Sequence, residues 1–394
     1  PANILLMLVL FGSMGYGTSA IAAYIEYPID VDTDSDGNIY VLEHYRCQIK
    51  KFTSDGTYVK SMGNCGTSRT WHLKNPYAFA VNSSLGRIAV ANTFNHSVKI
   101  FDLDLNFVIE LNVESFPTGI AWDSSNYIYV SSAGDHKVHK YNTGGSRHLS
   151  IGKGYGTGSG EMRVPLEVDV DSNGNIYVVD YFNHRVNKFN SSGDLSTSWG
   201  SRGSGNGSFY YPHGLVIDSD DNVFVGERSG NRVQKFDSSG TYDTQFGGIG
   251  SDDGDMRYPL GLGIDSSDRV YVSDFNNQRI GRYTNTGTWV DNIGRGIRRI
   301  DIARKVIKEF LSDPDVVGGA HYGLMTWAWH NHETILQVEI NEKGTGKILK
   351  LIDSIEPIEN GGTNLGGAMM KARNYFRGGY KSFKSPKNDK AKEC

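Results

Sequence analysis

The sequence lacks the usual marks of a metalloenzyme, a membrane protein and a nucleic-acid-binding protein. Its 394 residues include three cysteines and no C-x-x-C pair, so no cysteine-based metal site is indicated. The apolar run Ile4–Phe11 is too short to span a bilayer. The formal net charge is −4 with both signs interspersed, whereas nucleic-acid-binding domains typically have a basic excess. Walker loops, G-x-S-x-G elbows and H-E-x-x-H motifs are also absent.

Glycine and aromatic residues, in contrast, are abundant. The chain has 48 glycines, 22 tyrosines and 17 phenylalanines. Glycine adopts the positive φ angles of tight turns, and aromatic side chains pack well on pleated sheets. This composition therefore favours a mainly β protein with many short strands.

Six prolines recur at nearly constant spacing and mark an internal repeat. The successive spacings are 48, 41, 48, 47 and 47 residues. After each proline, two short apolar strands flank a turn, as in Leu166–Val178, and a polar loop and two further strands follow in most repeats. Four strands in a period of about 40–50 residues are typical of a β-propeller blade, so we predict six blades over about residues 27–294. The prolines are Pro28, Pro76, Pro117, Pro165, Pro212 and Pro259.

The start of the third strand carries a recurrent motif. Asn95-His96-Ser97-Val98, Asn183-His184-Arg185-Val186 and Asn277-Gln278-Arg279-Ile280 resemble the NHL repeat, and G-N-I-Y-V strands precede some of them. The resemblance extends over about residues 27–294 and implies a six-bladed NHL propeller. Because the blades follow one another in order, the two ends of this segment should leave the ring close together.

The flanking segments resemble the two parts of a split von Willebrand factor A domain. Ile4–Leu8 resembles the first strand of that domain, and Gly361–Ala368 resembles its second metal-site loop. Arg299–Phe310 has helical spacing of apolar residues, and Tyr322–Trp327 is the strand expected beside Ile4–Leu8. The competing interpretation of the N-terminal run is a signal peptide ending near Ala20-Ile21-Ala22. The predicted domains are 1–20 and 295–394 for a partial α/β A-like domain and 21–294 for the propeller.

The resemblance is to PilY-type pilus-tip proteins in particular, whose A domain carries a divalent cation. Ser13 and Thr363 match two hydroxyl ligands of that family, but Val9 and Phe11 occupy the positions of its aspartate and first serine. A hard cation such as Ca²⁺ or Mg²⁺ needs a carboxylate among its oxygen ligands. We therefore expect a degenerate, empty metal site and no cofactor.

Two acidic patterns in the repeats have competing interpretations. Asp32, Asp34, Asp36 and Glu43 satisfy the spacing of an EF-hand loop, and blade four nearly repeats it. Strands rather than helices flank both segments, so a hairpin turn stabilised by Asp, Asn and Gly is the favoured interpretation. The Asn-His pairs could ligate metal, but equivalent positions lie far apart around a ring. A hydrogen-bonding role for these histidines is favoured.

Two cysteines of the first repeat are predicted to form a disulfide. Cys47 begins the third strand and Cys65 lies just beyond the fourth, so the ends of an antiparallel pair place them side by side. A disulfide also fits an oxidising compartment.

The loops between second and third strands should lie on one face of the ring and form the binding surface. The long links between blades, such as Gly152–Val164, emerge on the same face. Loops on a rigid scaffold commonly carry binding residues, although these aromatic rings could instead pack between blades. The candidate ligand-binding residues are His44, Tyr45, Phe94, Tyr181, Phe182, Arg228 and Phe275.

The sequence favours an extracellular or cell-surface adhesion protein over an enzyme. The expected ligand is a protein or glycan, with pilus subunits as further candidates, and no nucleic acid or membrane span is expected. One alternative is a lyase or lactonase-type propeller, for which the inner strands offer His213 and Glu167 but no ring of histidines. An RNA-binding NHL propeller is the other alternative, and it would require a basic face.

Overall fold

The computed structural model of the chain describes residues 24–113 and 116–294, and the backbone at 324–327 and 333–336. The chain divides into two compact units, Pro1–Gly296 and Ile297–Cys394. The described residues of the first unit form 24 strands in six four-stranded antiparallel sheets, each built from four strands that are consecutive in sequence. These sheets are the six predicted blades.

Each blade runs from an inner strand at the channel to an outer strand at the rim. Pairing within blades is antiparallel, as in the register Val31↔Val41 and Leu42↔Ile49 of the first blade. The blades in order are β1 Pro28–Thr33, β2 Ile39–Glu43, β3 Gln48–Phe52 and β4 Tyr58–Met62; β5 Phe79–Asn82, β6 Arg87–Asn92, β7 Ser97–Asp102 and β8 Phe107–Asn112; β9 Pro117–Trp122, β10 Ile128–Ser132, β11 Lys137–Tyr141 and β12 Arg147–Ile151; β13 Pro165–Val170, β14 Ile176–Asp180, β15 Arg185–Phe189 and β16 Leu195–Trp199; β17 Pro212–Ile217, β18 Val223–Glu227, β19 Arg232–Phe236 and β20 Tyr242–Phe246; β21 Pro259–Ile264, β22 Val270–Asp274, β23 Arg279–Tyr283 and β24 Trp289–Ile293.

The six inner strands pack against one another in a closed ring, with β21 against β1. Their backbones approach so closely that some positions admit no side chain. A Cβ at Gly119 would lie 2.2 Å from the carbonyl oxygen of Leu166, and one at Gly214 would lie 2.1 Å from that of Leu260. Glycine is therefore required where adjacent inner strands touch.

The hydrophobic core lies between neighbouring blades. Tyr40 and Ile49 of the first blade, for example, pack with Phe79, Ile88 and Phe101 of the second, and all five are buried. Because each sheet is covered on both faces by other sheets, its middle strands are apolar along most of their length.

The acidic turn pattern has the structural role favoured by the sequence. The carboxylate of Asp34 accepts hydrogen bonds from the backbone N–H groups of Asp36 and Asn38 and from the hydroxyl of Tyr40, at 2.9–3.1 Å. Asp171 accepts the equivalent bonds in the fourth blade. Both carboxylates thus close the first hairpin of a blade.

The histidines of blades two, three and four each bind the link to the following blade. The Nδ1 atom of His184 accepts a hydrogen bond from the backbone N–H of Tyr211 at 3.2 Å. His96 and His136 bind the backbone N–H groups of Phe116 and Val164 in the same way, at 3.1 Å. The predicted hydrogen-bonding role is confirmed, and because Nδ1 is an acceptor it fixes the neutral tautomer with its proton on Nε2.

Cys47 occupies the position of these histidines in the first blade. It forms the expected disulfide with Cys65, with a Cα–Cα distance of 5.0 Å. Cys65 lies in the link to the second blade, so this covalent bond holds a link where blades two, three and four use a histidine.

In the second unit, the described backbone is one antiparallel hairpin of β25 (Leu324–Trp327) and β26 (Glu333–Leu336). The first of these strands lies inside the predicted strand Tyr322–Trp327. The predicted strand Ile4–Leu8, the predicted helix Arg299–Phe310, and the metal-site positions Ser13 and Thr363 lie outside the described residues.

Candidate functional site

The ring has two faces of different construction. The proline face is defined here as the face where the inner strands begin, and it also carries the loops between second and third strands and the links between blades. The turn face is the opposite one and carries the hairpin turns, such as residues 34–37. All seven predicted ligand-binding residues belong to loops of the proline face.

One aromatic cluster on this face comes from blades one, two and six. His44 and Tyr45 lie side by side with ring centroids 5.0 Å apart, and Tyr45 lies 6.1 Å from Phe275. Tyr27 contacts both Tyr45 and Phe275, at 5.1 and 5.3 Å. On the other side, the ring of His44 meets that of Tyr77 at 5.7 Å. Three of the predicted residues thus form one continuous surface.

A second cluster comes from blades four, five and six. Tyr181 lies 4.9 Å from Phe182 and 5.2 Å from Tyr211, measured between ring centroids. Arg228 donates a hydrogen bond from Nη1 to the hydroxyl of Tyr181 at 3.5 Å, and its guanidinium lies 4.9 Å from the ring centroid of Tyr258. Three further residues predicted from the sequence, Tyr181, Phe182 and Arg228, therefore lie in this second cluster.

Two residues join the clusters across the channel mouth. Tyr77 of blade two and His213 of blade five stack with centroids 5.8 Å apart, although their blades lie opposite each other in the ring. His213 also meets Tyr181 at 6.3 Å. The mouth on the proline face is therefore lined by a single band of aromatic rings with one arginine among them, here called the mouth cluster. It consists of Tyr27, His44, Tyr45, Tyr77, Tyr181, Phe182, Tyr211, His213, Arg228, Tyr258 and Phe275.

Phe94 is outside the mouth cluster. Its ring contacts Phe116 at 5.9 Å, and Phe116 contacts His96 at 4.7 Å. The link between blades two and three is shorter than the others, and these three rings lie at that junction. The prediction that Phe94 lies on this face is correct, but it does not share a site with the other six residues.

Sequence reasoning did not identify four tyrosines of the mouth cluster. Tyr27, Tyr211 and Tyr258 directly precede the repeat prolines, and Tyr77 directly follows one. The three residues before proline have φ angles of 49°, 54° and 53°, a left-handed conformation that is uncommon for residues other than glycine. The inter-blade hydrogen bonds hold two of them, since Tyr211 binds His184 and Tyr258 binds Asn231. Their positions next to the repeat prolines are the feature of the sequence that could have identified these four tyrosines.

Exposed apolar surface is concentrated on the proline face. Tyr45 is 63% exposed, Phe182 is 45% exposed and Tyr258 is 39% exposed. Of the eleven exposed large hydrophobic residues in the described part of the chain, seven lie in proline-face loops and four lie in outer strands. Exposed aromatic patches of this kind mark interaction sites. The seven are Tyr45, Phe94, Phe116, Tyr155, Phe182, Ile249 and Tyr258.

Below the mouth, the central channel contains a cavity of about 290 Å³ lined by carboxyl groups. Asp30 and Asp32 come from blade one, and Glu167 and Asp169 come from blade four, on the opposite side. These groups also join blades. Asp32 accepts the backbone N–H of Val81 at 2.7 Å, and Asp169 accepts that of Ile217 at 2.9 Å.

Burial makes these carboxyl groups weak acids. It raises the pKa of Asp32 and of Asp169 to about 7, against the hydrogen bonds from backbone N–H groups, which lower it. Burial also raises the pKa of Asp30 well above the ordinary range, and for Glu167 burial and the nearby Asp30 charge act in the same direction. In the described ranges, no three His, Cys, Asp or Glu side chains are grouped closely enough to bind a metal ion.

No helix in the described part of the chain has the length and apolar character needed to cross a bilayer.

Comparisons with known proteins agree with this architecture. The family model described as the NHL repeat matches residues 209–236 and 256–283, in blades five and six. A search of curated proteins gave no match. Among solved structures, a streptogramin B lyase shares 16% identity with a TM-score of 0.51, covering 68% of this chain and 83% of that chain.

Two further structures have the same fold at similar identity. An auxiliary nutrient binding protein from Bacteroides thetaiotaomicron shares 13% identity with a TM-score of 0.53, covering 66% of this chain and 69% of that chain. Virginiamycin B lyase from Staphylococcus aureus shares 15% identity with a TM-score of 0.50, covering 70% and 86%. These likenesses show the fold alone. The described residues within 24–294 therefore form a six-bladed β-propeller, and the NHL repeat is matched in its blades five and six.

Proposed function

We propose that the protein binds a polypeptide partner through the mouth cluster, without catalysis. The observation that carries this proposal is the continuous band of partly exposed aromatic rings across the channel mouth. NHL propellers commonly bind proteins. Tyrosine, tryptophan and arginine are the residues most often responsible for binding energy at protein interfaces, and the mouth cluster consists mainly of tyrosines around one arginine.

The rigidity of the scaffold supports the same proposal. The loops that carry Tyr45, Phe182 and Phe275 are short and are attached to buried strands. Tyrosine and phenylalanine have two side-chain torsions, so ordering them on binding costs little conformational entropy. A surface of this kind binds without large rearrangement.

The proposal is tested with a peptide selected from a displayed random library against the full chain. We compare the triple variant Tyr45→Ala, Phe182→Ala, Phe275→Ala with a control triple on the turn face, Ser124→Ala, Ser191→Ala, Ser266→Ala. Binding measured by surface plasmon resonance should weaken at least about tenfold in the first variant, which corresponds to about 1.4 kcal/mol, and should be unchanged in the control. Selected peptides that bind both triples equally well would refute the proposal.

We further propose that this binding takes place outside the cell or at its surface, as part of an adhesion or pilus-associated protein with a glycan or a pilus subunit as an alternative ligand. The resemblance of the flanking segments to a split A domain and the Cys47–Cys65 disulfide support this location. An experimental structure tests the first point. Ile4–Leu8 lying more than about two strand spacings, roughly 10 Å, from Tyr322–Trp327 would contradict the split domain.

A further inference from the structure

The arginines near the proline face differ in how their charge is balanced. Arg185 and Arg279 pair with Asp180 and Asp274 at 2.8 Å, and these carboxylates are buried. In the described part of the chain, Arg228 has no carboxylate partner. Its guanidinium is held instead by the hydroxyl of Tyr181 and the ring of Tyr258.

The carboxylate nearest to Arg228 in sequence is already in use. Glu227 is fully buried and pairs with Arg232. It also accepts hydrogen bonds from the backbone N–H of Tyr210 and from Nε2 of Gln234, both at 2.7 Å. The positive charge of Arg228 thus has no carboxylate partner among the described residues and lies beside the rings of Tyr181 and Tyr258.

A second group beside it also lacks a partner. His213 is 5% exposed, and its Nδ1 atom has no hydrogen-bond partner among the described residues. Burial, with the charge of Arg228, lowers the pKa of His213 to about 3, so its imidazole is neutral, while a backbone hydrogen bond to Leu260 acts in the opposite direction. In the tautomer with its proton on Nε2, the Nδ1 atom of this neutral ring is an acceptor without a donor.

We propose that Arg228, Tyr181 and His213 form a subsite for a carboxylate group of a polypeptide, with a backbone N–H beside it. The inference rests on the proposed binding function and identifies the chemistry of its anchor. A guanidinium binds carboxylates with two parallel hydrogen bonds, and the Tyr181 hydroxyl lies beside it as a further donor. An acidic side chain and a chain terminus both carry an amide N–H within reach of the carboxylate, and this N–H would bind Nδ1 of His213.

The acidic channel below the mouth is compatible with an anionic ligand. Asp30 and Glu167 line the channel. Burial raises the pKa of both groups well above the ordinary carboxyl range. Their negative charge is therefore reduced in the folded protein, and Arg228 is the nearer charge at the mouth.

The test uses two small probes that differ only in the terminal group, a carboxylate in one and a neutral carboxamide in the other. N-acetyl-L-tyrosine carries the carboxylate, the amide N–H and an aromatic ring, whereas N-acetyl-L-tyrosinamide lacks the charge. Calorimetry on the full chain should give a dissociation constant of about 1 mM for the acid and binding at least about tenfold weaker for the amide. Acetylated aspartate peptides and peptides with a free terminus then distinguish the two sources of the carboxylate.

Three variants locate the site. Arg228→Gln should weaken binding of the acid to the level seen with the amide. The control Arg202→Gln removes an exposed arginine from the same face and should leave binding of the acid within about twofold of the original. His213→Phe keeps a ring against Tyr77 and removes the acceptor, so it should weaken the acid about threefold or more. Thermal melting of each variant verifies that the ring remains folded.

Equal binding of the two probes, full binding by a folded Arg228→Gln protein, or no binding of the acid up to about 20 mM would each overturn the subsite. These failures are distinct from failure of the proposed function. If the selected peptide still depends on Tyr45, Phe182 and Phe275 while Arg228→Gln has no effect, the face binds polypeptides and the carboxylate subsite is wrong.

Discussion

The proline face and the turn face are made from the same repeat, yet their polar groups have different hydrogen-bond partners and their apolar groups differ in exposure. On the turn face, Asp34 and Asp171 bind the backbone of their own hairpins, and other turn residues bind the neighbouring blade, as Asp221 binds the backbone N–H of Ser172. On the proline face, the links bind the blades on either side of them, as Tyr211 binds His184 and Ser208 binds Arg232, and aromatic rings are left partly exposed around the channel. Both faces therefore join the blades, but the proline face also leaves aromatic surface exposed around the channel.

The first prediction concerns the ion pairs of the two faces. Arg279 and Asp274 are each 2% exposed, whereas Arg269, which pairs with Asp265 on the turn face, is 37% exposed. Arg279→Ala leaves a buried carboxylate uncompensated and also removes bonds to link carbonyls, so it should lower the free energy of unfolding by about 3–5 kcal/mol. Arg269→Ala should cost less than about 1 kcal/mol. Urea denaturation giving equal losses would end the distinction between the faces.

The second prediction concerns pH and the channel between the faces. Because the pKa of Asp32 is about 7 in the folded protein and 3.8 without burial, the folded state keeps a proton that the unfolded chain has released. The resulting stability is complete below about pH 4 and is lost as the pH rises through about 7, by up to about 4 kcal/mol. Asp32→Asn should flatten the dependence of urea denaturation on pH. A profile identical to that of the unchanged protein would contradict this account.

The third prediction concerns the covalent link of the proline face. Mass spectrometry of the unreduced protein should find no free thiol at Cys47 or Cys65. The bridge closes a loop with a sequence separation of 18 residues, so Cys65→Ala should cost about 3 kcal/mol. Addition of a reductant should lower the melting temperature of the original protein but not that of the variant. Two free thiols in the unreduced protein would refute the bridge.

The fourth and smallest effect concerns a histidine link. His184→Ala removes the acceptor for the buried N–H of Tyr211 and should cost about 1–3 kcal/mol. His184→Asn should cost less, because Asn231 already binds Tyr258 through its side-chain oxygen at the equivalent position. If the asparagine and alanine variants melt at the same temperature, the hydrogen bond is not what joins these blades.

The sequence predicts the ring well because its signals are local. Proline spacing, Asp-x-x-x-Asn turns and the position of Cys47 each depend on a few neighbouring residues. The mouth cluster depends on closure of the ring, which brings Tyr77 and His213 together from opposite blades. No periodicity along the chain encodes that contact. Phe94 shares the loop position of Phe182, but a short neighbouring link places it beside Phe116 instead.

The way the ring closes has a mechanical consequence. No described strand crosses from one blade into another, and blades six and one are held together by packing and by contacts such as Thr33 Oγ1 to the carbonyl of Ile264, at 2.8 Å. The ring is therefore closed by non-covalent contacts between blades six and one. A force that separates these two blades would break no β-sheet. A circularly permuted propeller that begins at any link between blades would still contain six whole blades. The non-covalent junction would then lie between a different pair of neighbouring blades.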